Sequence, residues 1–434
     1  MRIFDASAPA FKQELFEFIE QLNDVTDVAE TVQAVLADIR ELGDGAVVKY
    51  SEKFDQFALK PEELRVPEAI LEASVDALSK DEQTAFQTAI DSVRAFHQRT
   101  LPEPWTMRNA QGGMVGERYY PIRRVGLYVP GGQVPLASTV IMTTVLAQVA
   151  GVEEIAVTTP PMPGGDGMPS PVMLAALYLA GVREVYRLGG VQAIGALGYG
   201  TDSVPAVDKI FGPGSAYVNE AKRQLFGRVG IDLQPGPSEV MIIADATANP
   251  AFVAADLLAQ AEHGTTKEKI YFTVPSLGFL EAVEASFAEQ LKQCSHREAI
   301  QVVWDNATAA ILCTDLNEAV VAANLVAPEH LELQVADAEL AMLTEQITTA
   351  GAILQGHFSP TVLGDFTAGP SHTLPTGRTS RFSSGLQATD FMRRSSIVRY
   401  DEASLKNAAP VVEVFSRLEQ LDAHGRSLSV RLPS

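Results

Sequence analysis

Histidine, glutamine and acidic side chains recur in this chain at spacings that suit a catalytic centre. Gln260 and His263 stand three apart at the end of a helical stretch, so their side chains share one face. A carboxamide oxygen and an imidazole placed there could reach one cation. A histidine that only caps the helix, where Gly264 ends it, is the other reading. Glu329 and His330 stand side by side at the entry to an expected strand. Extended backbone sends adjacent side chains to opposite faces, so these two are expected to serve different steps, or different ends of one substrate, rather than a dyad. A histidine titrating near neutrality is the usual group for taking an alcohol proton, although such a pair also serves structure alone. The stretch 356–385, rich in Gly, Pro, Ser and Thr, carries Asp365 as a candidate metal ligand and His372 as a candidate substrate donor. Loops of that length are seldom inert in a compact domain; a solvated linker is the alternative. His424 lies near the end of the chain, five residues after Glu419. It becomes a ligand only if the tail folds back on a site, its own or a partner's.

Three glycine turns form a second group. Gly131-Gly132, Gly189-Gly190 and Gly212-Pro213-Gly214 each follow a short apolar run. Glycine there lets the backbone approach a ligand, and a helix starting near Ala216 offers unpaired N–H groups to a phosphate. Neither the GxGxxG fingerprint nor a P-loop is present. Three such turns at the carboxyl edge of one sheet are nevertheless where open α/β sheets bind ligands.

These residues require elements to hold them. Phe11, Leu15, Phe18, Ile19 and Leu22 fall at helical spacing, as do Val28, Val32, Val35, Leu36 and Ile39, and residues 10–105 read as helices. Strands are expected at 124–130, 154–159, 184–188 and 209–211, alternating with helices. A second series follows at 240–244, 269–274, 309–314, 330–335 and 352–354. Strands alternating with helices of ten to fifteen residues imply right-handed crossovers. The expected fold is therefore α/β: two Rossmann-like parallel-sheet domains, an N-terminal helical segment and a C-terminal helical tail. Residues 1–24 read as a helical arm, either reaching a partner or packing on its own core. Residues 25–127 plus 238–385 read as the domain carrying the metal and catalytic residues, 128–237 as an inserted dinucleotide-binding domain, and 386–434 as a tail without strands.

Composition excludes several classes. The chain has 434 residues, is 46% hydrophobic and 20% charged, which rules out wholesale disorder. A net charge of −21, with adjacent basic residues only in the pairs Arg123-Arg124, Lys222-Arg223 and Arg393-Arg394, argues against nucleic acid or an anionic membrane as partner. Two cysteines, Cys294 and Cys313, allow neither a disulfide framework nor a cysteine zinc site. No apolar signal segment is visible, and the expected setting is the cytoplasm.

Taken together, RVGLYVPGG (124–132), GGVQAIGALGYGTDSVPAVDKIFGPG (189–214), DLQPGPSEVMIIAD (232–245), DLLAQAEHG (256–264), APEHLEL (327–333) and GPSHTLPTGRTSRFSSGL (369–386) resemble histidinol dehydrogenases over nearly the whole chain. The resemblance implies a zinc-dependent homodimer that oxidises L-histidinol through L-histidinaldehyde to L-histidine, using NAD twice, as the last steps of histidine biosynthesis. It implies Gln260, His263, Asp365 and His424 as zinc ligands, His424 coming from the other subunit, and Glu329 and His330 as the catalytic pair. It implies Ser238, His372 and Glu419, with His330 and the zinc ligands, as substrate contacts, and Tyr128 and Gln192 as cofactor contacts. Ser215 stands where the family often has an asparagine cofactor contact, and Ser371 where asparagine is also frequent. Rival readings are a paralogue oxidising another small alcohol, a zinc-dependent hydrolase, and a non-catalytic binding protein.

Overall fold

The computed structural model describes residues 1–23, 27–131 and 135–432; Gly132, in one of the expected glycine turns, lies outside them. Strands β1 (Arg2–Asp5), β9 (Glu239–Ala244), β10 (Lys269–Val274), β11 (Thr308–Leu312), β12 (His330–Gln334) and β13 (Ala352–Gln355) form a parallel sheet ordered β1-β11-β10-β9-β12-β13. A second parallel sheet, ordered β6-β5-β4-β7-β8, holds β4 (Arg124–Tyr128), β5 (Glu154–Thr158), β6 (Glu184–Tyr186), β7 (Lys209–Phe211) and β8 (Gly230–Ile231). In each sheet the chain runs outward first one way and then the other from a founding strand, β4 or β9. Each sheet therefore has a switch point beside that strand, where such folds open a crevice.

The strand sequences match this architecture. EVMIIA in β9, KIYFTV in β10 and HLELQ in β12 are buried at every position. Near-continuous apolar runs, as in β9 and β10, are what a parallel sheet covered by helices on both faces demands, while in β12 two leucines alternate with the buried polar His330, Glu332 and Gln334.

Several expectations are corrected. Of the two readings of the N-terminal segment, residues 1–23 follow the packing on their own core rather than the reaching arm, and they are not helical throughout: β1 is the edge strand of the six-stranded sheet, and Phe11, Leu15, Phe18 and Ile19 of the helix Phe11–Leu22 are buried against it. The helices between residues 29 and 98 do not cover that sheet. Ala29–Leu42 packs on Gly190–Tyr199 and Ala216–Leu225, Glu68–Asp76 on Pro171–Leu179, and Lys80–Gln98 on Ala137–Ala150, so all belong to the five-stranded unit. Their apolar faces announced burial, but periodicity does not name the partner. A boundary at residue 128 would also cut through β4.

The region after 386 does contain a strand. β14 (Met392–Arg399) pairs antiparallel with β3 (Met114–Pro121), and β3 with β2 (Trp105–Arg108), in a third sheet ordered β14-β3-β2. These strands are mostly exposed and lack the apolar runs of the two buried sheets. Stretch 356–385 is no solvated linker either: Thr361, Ser371, Thr373, Thr376 and Ser380 are buried.

Candidate active site

Glu329 and His330 owe their place to the way the preceding helix starts and stops. The Asp315 carboxylate accepts the Asn317 and Glu318 N–H groups at 2.8 and 3.0 Å, starting the helix Leu316–Val326. That helix ends at Ala327, whose φ is 49°, and Pro328 prevents its continuation. The chain then enters β12, where His330 is in register with Val240 of β9 and Ala352 of β13. Gly351 lies so close that a Cβ on it would sit 2.6 Å from the Glu329 carbonyl oxygen.

One residue of β9 orients both side chains through its backbone. The Glu239 N–H donates to Glu329 Oε2 at 2.8 Å, and His330 Nδ1 donates to the Glu239 carbonyl at 3.3 Å. A carbonyl only accepts, so Nδ1 carries the proton and Nε2 keeps its lone pair. The expectation of opposite faces is not met: Glu329 Oε2 lies 3.7 Å from His330 Nδ1. Glu329 precedes the first residue of β12, so strand alternation does not separate the two.

His330 Nε2 faces Asp365 Oδ1 at 3.9 Å, and the same oxygen lies 3.8 Å from His372 Nδ1. His372 Nε2 is 3.3 Å from the Thr139 hydroxyl, on the helix that follows β4, so the group sits where the two parallel-sheet units meet. Burial governs the acid–base state here. It pushes Glu329 well above the ordinary carboxylate range and Asp365 up to about 6, and it pulls His330 and His372 down to about 4.

Gln260 and His263 end the helix Pro250–Ala261 and the turn after it. His263 Nδ1 donates to the Gln260 carbonyl at 3.0 Å, so Nδ1 carries the proton and Nε2 keeps its lone pair. His263 is near enough for its charge to lower Asp365 and also to lower His330 and His372. Gln260 is buried, and its Nε2 has no hydrogen-bond partner. Ser238 immediately precedes Glu239, and its carbonyl accepts the Lys269 N–H at 3.0 Å. The tail behaves differently. Glu419 and His424 are exposed, and neither side chain bonds to any of these residues within the chain.

The opposite wall is the carboxyl edge of β4, β6 and β7. Tyr128 ends β4, buried, and its hydroxyl accepts the Gly190 N–H at 3.2 Å. Gln192 Nε2 donates to Asp55 Oδ2 at 2.9 Å, as the Gly189 N–H does at 3.3 Å, while Gln192 Oε1 is buried without a partner. Gly212 has φ 112°, and a Cβ on it would stand 2.0 Å from the Tyr128 carbonyl oxygen, so only glycine fits this turn. Asp232 accepts the Gly212 N–H at 2.7 Å and pairs with the buried Lys222, whose ammonium also donates to the Gly212 carbonyl at 3.0 Å. Ser215, at the start of the helix Ala216–Leu225, is exposed, and its hydroxyl caps nothing.

The donors suit one divalent ion, though one chain does not complete the set. Among the described residues, no group of three or more His, Cys, Asp or Glu side chains is placed to hold a metal. Of the expected ligands only His263 and Asp365 in this part of the chain belong to those types, with Gln260 contributing an amide. A carboxamide oxygen on Gln260, the His263 Nε2 lone pair and the Asp365 carboxylate are a donor set that fits a hard-to-borderline cation with mixed N and O ligation.

Sequence reasoning missed three contributors: Glu239, which orients the pair through its backbone, Asp55, which holds Gln192, and Thr139 beside His372. The first acts through a peptide, which no side-chain pattern reveals. Asp55 meets its partner across 137 positions, and Thr139 meets His372 across 233.

Two parallel α/β sheets, one with a glycine-lined carboxyl edge and one presenting an acid–base pair, define an oxidoreductase. The chain belongs to the histidinol dehydrogenase family, whose model matches residues 20–432. It is 41% identical over 432 residues to histidinol dehydrogenase of Cereibacter sphaeroides, covering 99% of this chain and 98% of the relative. It is 44% identical over 407 residues to that of Synechococcus sp., covering 94% and 92%. The crystal structure of histidinol dehydrogenase from Elizabethkingia anophelis superposes with a TM-score of 0.92 at 32% identity, covering 99% of this chain and 98% of that one. Among the described residues, no helix is long and apolar enough to cross a membrane.

Proposed function

We propose that this chain oxidises L-histidinol to L-histidine in two successive steps at one site, through L-histidinaldehyde, as an NAD- and zinc-dependent homodimer of the cytoplasm. The observation that carries the reading is the convergence of Glu329, His330, Asp365 and His372 at the boundary with the glycine-lined edge.

His330, neutral with its Nε2 lone pair free, takes the proton from the substrate hydroxyl as the first hydride leaves. Glu329, raised in pKa by burial, is the stronger base once deprotonated and draws a proton from the water that adds to the aldehyde. As the water adds, His330 returns its proton to the aldehyde oxygen and, neutral again, takes a hydroxyl proton of the resulting diol for the second oxidation. His372 and Ser238 hold the substrate beside this pair, with Glu419 of a second copy closing the pocket.

Gln260, His263 and Asp365 would hold zinc with His424 of the second copy; the ion supplies a fixed point of coordination for the substrate. Tyr128, Gln192 and Ser215 would hold NAD, which supplies the hydride acceptor. The partnerless Gln192 Oε1 and the close turn at Gly212 support a ligand at that edge. Val411, Val414, Phe415, Leu418 and Leu421 form an exposed apolar stripe on the tail, which supports burial against another copy.

The test is direct. Purified protein given zinc, NAD and L-histidinol forms about two NADH per histidine. One NADH with released aldehyde would replace this reading by the paralogue, and no absorbance change would overturn it.

A further inference from the structure

Behind Asp365 and Gln260 lies a buried polar chain that the proposed reaction does not use. Glu332, two residues into β12 after His330, is 1% exposed. Its Oε1 accepts both the backbone N–H and the hydroxyl of Thr361, each at 2.7 Å. Thr361 opens the short helix Thr361–Phe366 that carries Asp365. The other oxygen, Oε2, accepts from Gln334 Nε2 at 3.0 Å, and the same amide donates to Asp256 Oδ2 at 2.7 Å. Asp256 lies one turn before Gln260 on the helix Pro250–Ala261. Burial and the adjoining Glu332 carboxylate hold Asp256 well above the ordinary carboxylate range. A carboxylate on β12 thus ties together two separate helices, one bearing Asp365 and the other Gln260.

Buried polar groups are costly unless satisfied; both Glu332 oxygens, Thr361 and the Gln334 amide nitrogen are bonded here, Gln334 Oε1 alone among these being left without a partner, and a network so bonded admits few alternative geometries. We infer that Glu332 is a positioning residue: through Thr361 on one side and Gln334 with Asp256 on the other, it sets the separation of Asp365 from Gln260 and His263. This rests on the zinc reading above. Glu332 touches neither substrate nor cofactor; it acts through the groups it anchors.

The experiment measures Zn²⁺ affinity of the full-length chain by competition with a chromophoric chelator, alongside NADH binding and circular dichroism. Glu332→Ala is expected to weaken zinc roughly 10- to 100-fold, the range for groups that orient metal ligands, with NADH affinity unchanged. Glu332→Gln, which keeps an oxygen for Thr361, is expected to recover part of the loss. Thr361→Val removes one hydrogen bond and is expected to weaken zinc severalfold. If the wild type takes up no zinc, the zinc reading itself falls. If the wild type binds zinc and both Glu332→Ala and Thr361→Val bind it equally well, only the positioning role falls. Should Glu332→Ala fail to fold by circular dichroism, Thr361→Val decides, and an unchanged affinity there overturns the inference.

Discussion

His330 and Glu239 meet across neighbouring parallel strands, imidazole Nδ1 to backbone carbonyl at 3.3 Å, while the amide of the same Glu239 holds Glu329 at 2.8 Å. A single residue therefore selects the imidazole tautomer and aims the carboxylate. The Glu239 side chain is committed elsewhere. Its carboxylate is buried with Lys269 at 2.8 Å and accepts the Gly377 N–H at 2.9 Å, which ties the loop carrying His372 to the same strand.

Replacing the base tests the chemistry. His330→Ala is expected to lower kcat for histidinol oxidation by about 10² to 10⁴, with KM little changed, in steady-state NADH absorbance. A kcat near wild type would assign the proton transfer to another group.

The cofactor edge is separable from the metal side. Gly212→Ala places a methyl group 2.0 Å from the Tyr128 carbonyl at a φ of 112°, so the turn must open. Weaker NADH binding, read by fluorescence titration, is expected with zinc affinity intact. Unchanged NADH binding would move the cofactor away from this turn.

Sharing of the site between copies is open to complementation. His424→Ala and His330→Ala chains are each expected to be inactive. Mixed and re-annealed, they form heterodimers in which one of two sites is whole, so roughly a quarter of wild-type activity returns under random pairing in a two-fold dimer. Return of no activity would place the fourth ligand within one chain.

Acid sensitivity has an identifiable source outside the site. His97 is fully buried, both ring nitrogens lack partners, and burial lowers it to about 4 from 6.5. Above pH 6.5 neither the folded nor the unfolded chain protonates it, and it has no effect on stability. As pH falls from 6.5 towards 4, the unfolded chain binds a proton that the folded chain refuses. Stability drops accordingly, by up to about 3 kcal/mol. His97→Leu is expected to flatten that part of the profile in urea unfolding at pH 7.5 and 4.5. Equal losses in both proteins would rule the residue out.

How much could be read in advance depended on whether a feature is local. Strands β4 to β7 and β9 to β13 stand out as apolar runs ending at glycine or polar turns, and they sit where the pattern placed them. β1 and β14 escaped because RIFD and MRRSSIVR carry no such run and owe their pairing to residues far along the chain, Arg2 to Ala309 and Met392 to Pro121. The helices of 29–98 showed apolar faces without showing which sheet would receive them. Within the site, Gln260 lies in the last turn of the helix Pro250–Ala261 and His263 in the turn just after it, so their nearness is local in sequence and was legible. The contact of Asp55 with Gln192 is a consequence of packing, and nothing near Asp55 announces it.

The antiparallel ribbon of β2, β3 and β14 gives the end of the chain a fixed mooring. Beyond Arg399 the helix Glu402–Leu418 departs as a strut of 17 residues, roughly 25 Å in length, bent where Pro410 removes an N–H from its ladder. Whatever its tip touches must lie on an arc of about that radius, which narrows the geometries open to the proposed contact with a second copy.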